Sequence, residues 1–302
     1  MKESMHKYMK VGLIHFMAYP ATMGGEGPVL ETVRRILEDD YFDALELTHI
    51  EDKEVRAQVA KLVNESGAFM TFGAQPCLLR TKQNVNSLDE AERQTALANL
   101  KDKIDEAYAI GAQSFAFLSG KYEDATREQS YKKLVESCIE LCQYAKSKGD
   151  MPVNLEVFDY DVEKCSLIGP STLAKRLAEE VRETCGNFGL MVDLSHIPQI
   201  HETIRDNLLP VAPYICHAHM GNAVMTPGAA AYGDQHPRFG FPNSCNGVDE
   251  LAEYLRVLME IGYLQADKPR IVSFEVKPWG DEDPEMVIAN AKRTLNQAWA
   301  KV

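Results

Sequence analysis

Runs of strand-forming residues alternate with amphipathic helical stretches along the whole chain. The predicted strands cover residues 10–16, 44–48, 69–73, 114–118, 152–157, 189–193, 214–220 and 270–276. The predicted helices cover residues 29–39, 53–65, 88–110, 126–148, 171–184, 202–209, 248–261 and 284–300. Consecutive parallel strands need a crossover connection, usually a helix. Eight strand-then-helix units therefore predict a sheet of parallel strands.

The fold expected from this alternation is an α/β protein of the (β/α)₈ TIM-barrel type. We predict a single domain over residues 1–302, because barrels of this length commonly form one core and no Pro/Gly/Ser-rich linker interrupts the pattern. A doubly wound open sheet is the alternative. It is weakened because no Gly-x-Gly-x-x-Gly segment follows the first strand. A long loop after strand 7, residues 221–247, is predicted to act as a lid or substrate wall.

The charge and composition of the chain limit the classes of molecule that it is expected to bind. The chain has 32 basic and 45 acidic residues and a formal charge of −13, which opposes binding to nucleic acid or to anionic membranes. No segment approaches the roughly 20 apolar residues of a membrane span, and residues 1–7 lack the apolar core of a signal peptide. We expect a cytoplasmic protein. The seven cysteines contain no Cys-x-x-Cys pair, so we interpret them as reduced packing residues.

Four predicted strands, the fifth to the eighth, end with a side chain that can bind a metal ion. These residues are Glu156, Asp193, His219 and Glu275. Parallel strands would bring them to one end of the sheet, where three carboxylates need a cation or captured protons. An oxygen-rich set favours Mn²⁺, with Mg²⁺ or Co²⁺ as alternatives. Taken singly, each residue also fits an ordinary salt bridge or a core histidine.

Further residues near the strand ends are candidates for proton transfer or substrate binding. His196 follows Asp193 by three residues and suits a proton shuttle, although a loop histidine bonded to the backbone is the alternative. The candidate substrate-binding residues are His236, Arg238, Lys277, Gln75 and Glu46. For the charged ones, surface charge or pairing with a neighbouring carboxylate is an equally good interpretation.

The segments around these residues resemble a known superfamily. They are Asn-Leu-Glu-Val-Phe-Asp at Glu156, Val-Asp-Leu-Ser-His at Asp193, His-Ala-His at His219 and Ser-Phe-Glu-Val-Lys-Pro at Glu275. Their order resembles the xylose isomerase-like TIM-barrel superfamily of sugar and sugar-phosphate isomerases and epimerases. For ketose 3-epimerases the resemblance implies a metal held by all four residues, with Glu156 and Glu275 also transferring protons. A histidine three residues after the metal aspartate belongs to the pattern, and His196 matches it.

The chain departs from the epimerase pattern at two positions. It has Val162 where the epimerases have a glutamate, and Met225 where they have an arginine. Asp161, Glu163 or Arg238 are candidates to replace them.

Other relatives suggest other activities. The segment Ala-Tyr-Gly-Asp-Gln-His-Pro-Arg-Phe-Gly-Phe-Pro resembles the catalytic subunits of bacterial C-glycoside deglycosidases, lyases that eliminate an aglycone from a 3-oxo-glycoside and work with a small β-rich partner. Endonuclease IV shares an Asp-x-x-His feature and a late Asp-x-His pair. However, its further zinc histidines are matched here by Gln75 and Ser119, and the charge opposes DNA.

We therefore predict a divalent-metal-dependent sugar isomerase or epimerase. The expected step is proton abstraction next to a metal-bound carbonyl, giving an enediolate, with Glu156, Glu275 and His196 as catalytic residues. The expected ligand is a small carbohydrate or glycoside, and either a homo-oligomer or a small partner subunit fits this interpretation. The alternatives are a C-glycoside deglycosidase catalytic subunit and a non-catalytic carbohydrate-binding barrel.

Overall fold

The strands of the protein close into a barrel. The structure, a computed structural model, describes residues 3–302. All strand pairs in this range are parallel, and β8 pairs with β1, so the sheet has no free edge. The strands are β1 (Met9–Ile14), β2 (Ala44–Leu47), β3 (Phe69–Gly73), β4 (Phe115–Leu118), β5 (Val153–Glu156), β6 (Phe188–Asp193), β7 (Ile215–Gly221) and β8 (Arg270–Glu275). The predicted (β/α)₈ barrel is confirmed, and the open-sheet alternative is wrong.

Helices follow the strands around the outside of the barrel. The α-helices of the described range are α1 (His15–Ala18), α2 (Val29–Leu37), α3 (Lys53–Ser66), α4 (Gln75–Thr81), α5 (Glu90–Ala109), α6 (Arg127–Lys148), α7 (Ser171–Arg182), α8 (His196–Gln199), α9 (Ile204–Val211), α10 (Val248–Glu260) and α11 (Pro284–Lys301). The short helices α1, α4 and α8 lie just after strand ends and were not predicted. Because α1 begins at His15, the first predicted strand extended two residues past the end of β1.

Helix α2 illustrates why the helices pack against the barrel. Val29, Val33 and Ile36 recur at helical spacing and are buried, whereas Glu31 and Arg35 face outward. Burying each such aliphatic side chain contributes about 1.5–3 kcal/mol. The helix therefore stabilises the barrel through one apolar face.

Side chains pack closely on both faces of the strands that form the barrel wall. Every residue of β4, β5 and β6 is buried, as expected for parallel strands covered on both faces. The rings of Phe72 and Phe115 stack at 5.7 Å between centroids with an interplanar angle of 12°. This close packing fixes the strands, and with them the side chains at their carboxyl ends.

The long loop after β7 is itself folded. Nδ2 of Asn222 donates to the Arg238 carbonyl at 3.0 Å, and the Asn246 amide donates to Oδ1 of Asn222 at 2.8 Å. Nδ2 of Asn246 donates to the carbonyls of Leu194 and Gly221, both at 3.1 Å. An apolar cluster in the loop contains Val224, Ala231 and Phe241, packed against Trp279. The loop thus stands over the end of β7 as a structured wall.

The described residues contain neither a helix suited to crossing a membrane nor a disulfide bond. Within residues 3–302, no helix is both long enough and apolar enough to pass through a lipid bilayer. All seven cysteines lie in this range, and each is free.

Candidate metal centre

Side chains from four neighbouring strand ends meet in the barrel mouth. Glu156, Asp193, His219 and Glu275 each offer one atom such that all four atoms lie within 4.8 Å of one another. All four side chains are buried. They converge because each lies at or near the carboxyl end of its parallel strand, and because β6 pairs with β7 with Asp193 opposite His219.

The charges in this group are strongly coupled. Nδ1 of His219 lies 2.9 Å from Oε2 of Glu275 and 3.4 Å from Oε1 of Glu156. Burial alone would lower the pKa of His219, but Glu46 and the two other glutamates raise it well above its usual value. Burial, opposed by His236 and reinforced by repulsion from Glu156, raises the pKa of Glu275 to about 7. Protons on the imidazoles thus offset part of the carboxylate charge.

The donor set fits a divalent cation. Oε1 of Glu156 is buried and has no hydrogen-bond partner within residues 3–302. Leaving such an oxygen unsatisfied costs on the order of 1–3 kcal/mol or more. A cation among three carboxylates and an imidazole would satisfy it, and this oxygen-rich set suits Mn²⁺ or Mg²⁺.

Two polar side chains, Gln75 and Glu46, orient Glu156 and His219. Nε2 of Gln75, the first residue of α4, donates to Oε2 of Glu156 at 2.6 Å. Oε2 of Glu46 lies 3.4 Å from Nε2 of His219 and accepts a hydrogen bond from Thr71 at 3.0 Å. Glu46 therefore holds one imidazole nitrogen and leaves Nδ1 facing the carboxylates, an arrangement typical of metal-binding histidines.

His217 lies beside the same glutamate, one layer deeper. Its Nε2 is 3.4 Å from Oε2 of Glu46 and 3.4 Å from Oγ of Ser273. Burial lowers the pKa of His217 to about 4. It is therefore a neutral packing and hydrogen-bonding group near neutral pH.

His196 is held from both sides. Its Nδ1 donates to the carbonyl oxygen of Val157 at 2.8 Å and its Nε2 donates to Oδ1 of Asp234 at 3.0 Å, so both ring nitrogens carry a proton. The ring packs against Phe158 at 4.3 Å between centroids. Burial opposes protonation, but Asp234 and Asp193 raise the pKa of His196 to about 10. The structure places this histidine beside Glu156 and Asp193.

His236 comes from the long loop and reaches the same region. Its Nε2 lies 2.8 Å from Oδ1 of Asp234 and 3.5 Å from Oε1 of Glu275. Its Nδ1 lies 3.7 Å from Oδ2 of Asp193. One atom each from Asp193, His196 and His236 lie within 4.8 Å of one another, so these residues form a second group able to hold a cation.

A cavity of about 180 Å³ opens onto three of the four strand-end residues, Glu156, His219 and Glu275. Its polar lining includes Glu46, Gln75, Glu156, His219 and Glu275. Its apolar lining includes Ile14, Phe16, Met17, Pro76 and Phe158. A polar floor with an apolar wall suits a small hydroxylated ligand.

Two predicted substrate-binding residues differ in their placement. Lys277 lines the cavity, and its backbone amide donates to the His236 carbonyl at 2.7 Å. Arg238 does not line it. Nε of Arg238 donates to Oε1 of Glu282 at 2.8 Å, and its guanidinium lies over the Phe241 ring. Arg238 thus supports the fold of the loop.

The comparison with protein families decides the classification. The model of the xylose isomerase-like TIM barrel family matches residues 35–297. The chain belongs to the xylose isomerase-like TIM barrel family. The match spans nearly the whole barrel. It includes Glu156, Asp193, His219 and Glu275, here called the strand-end group.

Solved structures with the same fold include several sugar epimerases. A D-psicose 3-epimerase from Clostridium cellulolyticum H10 is 19% identical with a TM-score of 0.65, over 97% of this chain and 96% of that chain. An L-ribulose 3-epimerase is 17% identical with a TM-score of 0.74 and the same coverages. A 3-keto-D-glucoside 4-epimerase from E. coli is 15% identical with a TM-score of 0.65, over 97% and 98%. At these identities the likeness shows the fold. No curated protein matches the sequence.

Polar contacts join the loop after β5 to the long loop after β7, and they include Lys164, which the sequence analysis did not assign to the site. Nζ of Lys164 lies 2.8 Å from Oδ2 of Asp234, and Oε2 of Glu163 accepts from the Asp234 backbone amide at 2.8 Å. Nε2 of Gln235 donates to Glu163 at 3.0 Å. These contacts, here called the loop clamp (Glu163, Lys164, Asp234 and Gln235), close one side of the cavity. Asp161, the other candidate beside Val162, pairs instead with His201.

Asp159 shapes the loop that carries half of the clamp. This buried carboxylate accepts hydrogen bonds from four backbone amides, those of residues 162–165, at 2.7–3.2 Å. The turn it organises presents Glu163 and Lys164 to the cavity. An aspartate just after a strand is the signal that points to such a turn, because its carboxylate readily accepts amides of the following residues.

Proposed function

We propose that the protein is a divalent-cation-dependent sugar isomerase or epimerase. The observation that carries this proposal is the placement of Glu156 and Glu275, which come from strands three apart around the barrel and both line the cavity. Two carboxylates that approach a bound sugar from different strands can remove and return a proton on different sides of one carbon. The names of three structural neighbours, all sugar epimerases, support the same reaction class.

The roles follow from the contacts. Glu156, Asp193, His219 and Glu275 would hold the cation, with Mn²⁺ as the proposed ion. A bound cation of this kind supplies Lewis-acid polarisation of a carbonyl next to the reacting carbon, an effect worth several kcal/mol. Glu156 and Glu275 transfer the proton, and positioned acid-base groups of this type contribute roughly 10²- to 10⁴-fold.

The surrounding residues position the substrate and the two glutamates. Gln75 fixes the carboxylate plane of Glu156, and Glu46 fixes the imidazole of His219. The apolar wall excludes water from one face of the cavity, which strengthens the electrostatic contacts inside it. His196 takes a positioning role, since its ring is locked between the Val157 carbonyl and Asp234.

One assay tests the proposal. The full-length protein loaded with Mn²⁺ is incubated in deuterated water with a panel of ketoses, aldoses and 3-oxo-glycosides, and the products are identified by NMR and mass spectrometry. We expect an isomeric product that carries deuterium at the reacting carbon. Chelation, Glu156→Gln and Glu275→Gln should each reduce the rate at least 10²-fold.

Other results of this assay would indicate other functions. Release of an aglycone would indicate a deglycosidase-type lyase. Sugar binding without exchange of carbon-bound protons would indicate a non-catalytic carbohydrate-binding barrel. Full activity of both variants in metal-free buffer would rule out the proposed mechanism.

A further inference from the structure

A second cavity adjoins the reaction cavity. Its volume is about 500 Å³, against about 180 Å³ for the reaction cavity, and Leu79 and Lys164 line both. It lies between the chain segments that follow β3, β4 and β5. Its lining also includes Lys82, Asn84, Glu92, Leu118, Gly120 and Lys121.

The lining of this second cavity combines apolar side chains with cations. Leu79 stands at the junction with 42% of its surface exposed, and among the large hydrophobic residues of the described chain only Leu88, Leu209 and Met286 are more exposed. Lys82 and Lys121 form no ion pair with any residue of the range 3–302. The only carboxylate in the lining is Glu92, which accepts a hydrogen bond from Ser87. In a chain of charge −13, this is a locally positive surface.

The wall of the second cavity is rigidly built. Asn84 and Asn86 both donate from Nδ2 to the Lys121 carbonyl at 2.9 Å, and the Gly120 amide donates to Oδ1 of Asn86 at 2.6 Å. A Cβ at Gly120 would lie 2.1 Å from Oδ1 of Asn84, so the wall fits glycine alone. A preformed wall of this kind is typical of ligand sites.

We propose that this second cavity, here called the side cavity, binds a second unit of the substrate, an apolar ring that carries an acidic oxygen. The substrate is then a substituted sugar or glycoside, with its sugar at the strand-end group and its second unit across Leu79. The volumes support this division, because the reaction cavity takes one small unit and the side cavity a larger one. This inference rests on the proposed function for its sugar half.

The test uses a fragment that needs no turnover. The Mg²⁺-loaded protein, labelled at isoleucine and leucine methyl groups, is titrated with 4-hydroxybenzoate, with phenol as the neutral ring and with cellobiose as a second sugar. We expect saturable shifts of Leu79 and Leu118 methyls at millimolar 4-hydroxybenzoate, with weaker binding of phenol and of cellobiose. Lys121→Met should weaken 4-hydroxybenzoate binding about two- to fivefold and leave phenol binding unchanged. Lys132→Met, a change at an exposed lysine of α6 outside the cavity lining, is the matched control.

The results separate this inference from the proposed function. Absence of saturable shifts, shifts confined to Ile14 in the reaction cavity, or equal binding by Lys121→Met and Lys132→Met would each overturn the side cavity as a site for an acidic ring. Tighter binding of cellobiose would instead assign it to a second sugar. Failure of deuterium exchange with every sugar would overturn the proposed function while leaving the fragment result standing.

Discussion

Gln75 and Glu156 share a hydrogen bond of 2.6 Å, although Gln75 lies just after β3 and Glu156 is the last residue of β5. The Gln75 amide nitrogen donates to Oε2, so Oε1 of Glu156 is left pointing at His219 and His196. One amide thus selects which carboxylate oxygen faces the proposed cation. Groups that orient metal ligands in this way strongly affect metal affinity.

Replacing Gln75 tests this orientation. We expect Gln75→Leu to weaken Mn²⁺ binding about 10- to 100-fold, because Glu156 loses the donor that fixes its plane. Isothermal titration with Mn²⁺ measures the change. Gln94→Leu, at an exposed glutamine of α5 whose amide donates to Glu90, is the control and should bind Mn²⁺ as the unaltered protein does. Equal affinities of both variants would contradict the assigned role.

Cation binding should also stabilise the folded chain. A ligand that binds only the folded state at 100 times its Kd raises the free energy of unfolding by about 2.7 kcal/mol. For a chain of this size that corresponds to about 5 °C in Tm. We expect Mn²⁺ to produce such a shift and Asp193→Asn to abolish it, as measured by differential scanning calorimetry. Asp161→Asn, at an aspartate outside the group, should retain the shift; its loss there would contradict the assignment.

The strand-end group could be predicted from sequence because strand periodicity fixes it. Asp193 and His219 lie at or next to the ends of predicted strands, and parallel pairing brings strand ends together whatever path the loops take. Asp234 could not be placed, because it lies in a loop whose path no periodicity determines. It reaches His196 from 38 residues away in the chain. Arg238 was predicted to bind substrate from the same loop, but Glu282 provides a carboxylate partner 44 residues later.

A stability prediction concerns His49, in the turn after β2. Its Nδ1 lies 2.6 Å from Oε2 of Glu106, and this hydrogen bond, opposed by burial, raises the pKa of His49. A raised folded pKa means that the pair stabilises the protein fully below the unfolded pKa of roughly 6.5. That stabilisation is lost as pH rises through the folded pKa. We expect His49→Gln to cost about 1 kcal/mol more at pH 6 than at pH 9 in urea unfolding.

The double variant His49→Gln/Glu106→Gln completes this experiment. If the ion pair is the cause, the interaction energy from the double-mutant cycle should fall over the same pH range. A pH-independent cost of His49→Gln would show that the histidine acts by packing instead.

Replacing Gly233 with alanine tests the loop clamp, because both the backbone φ of +89° and the surrounding atoms disfavour a side chain at this position. A Cβ at this position would lie 2.6 Å from Oε2 of Glu163, the oxygen that accepts the Asp234 amide. Gly228 has a similar φ of +77° but open space around it. Both Gly→Ala changes carry the strain of the left-handed backbone, about 1–2 kcal/mol. Gly233→Ala alone should also displace Glu163, open the cavity wall and raise KM for the sugar several-fold. Equal KM values in the two variants would show that the clamp does not shape the cavity.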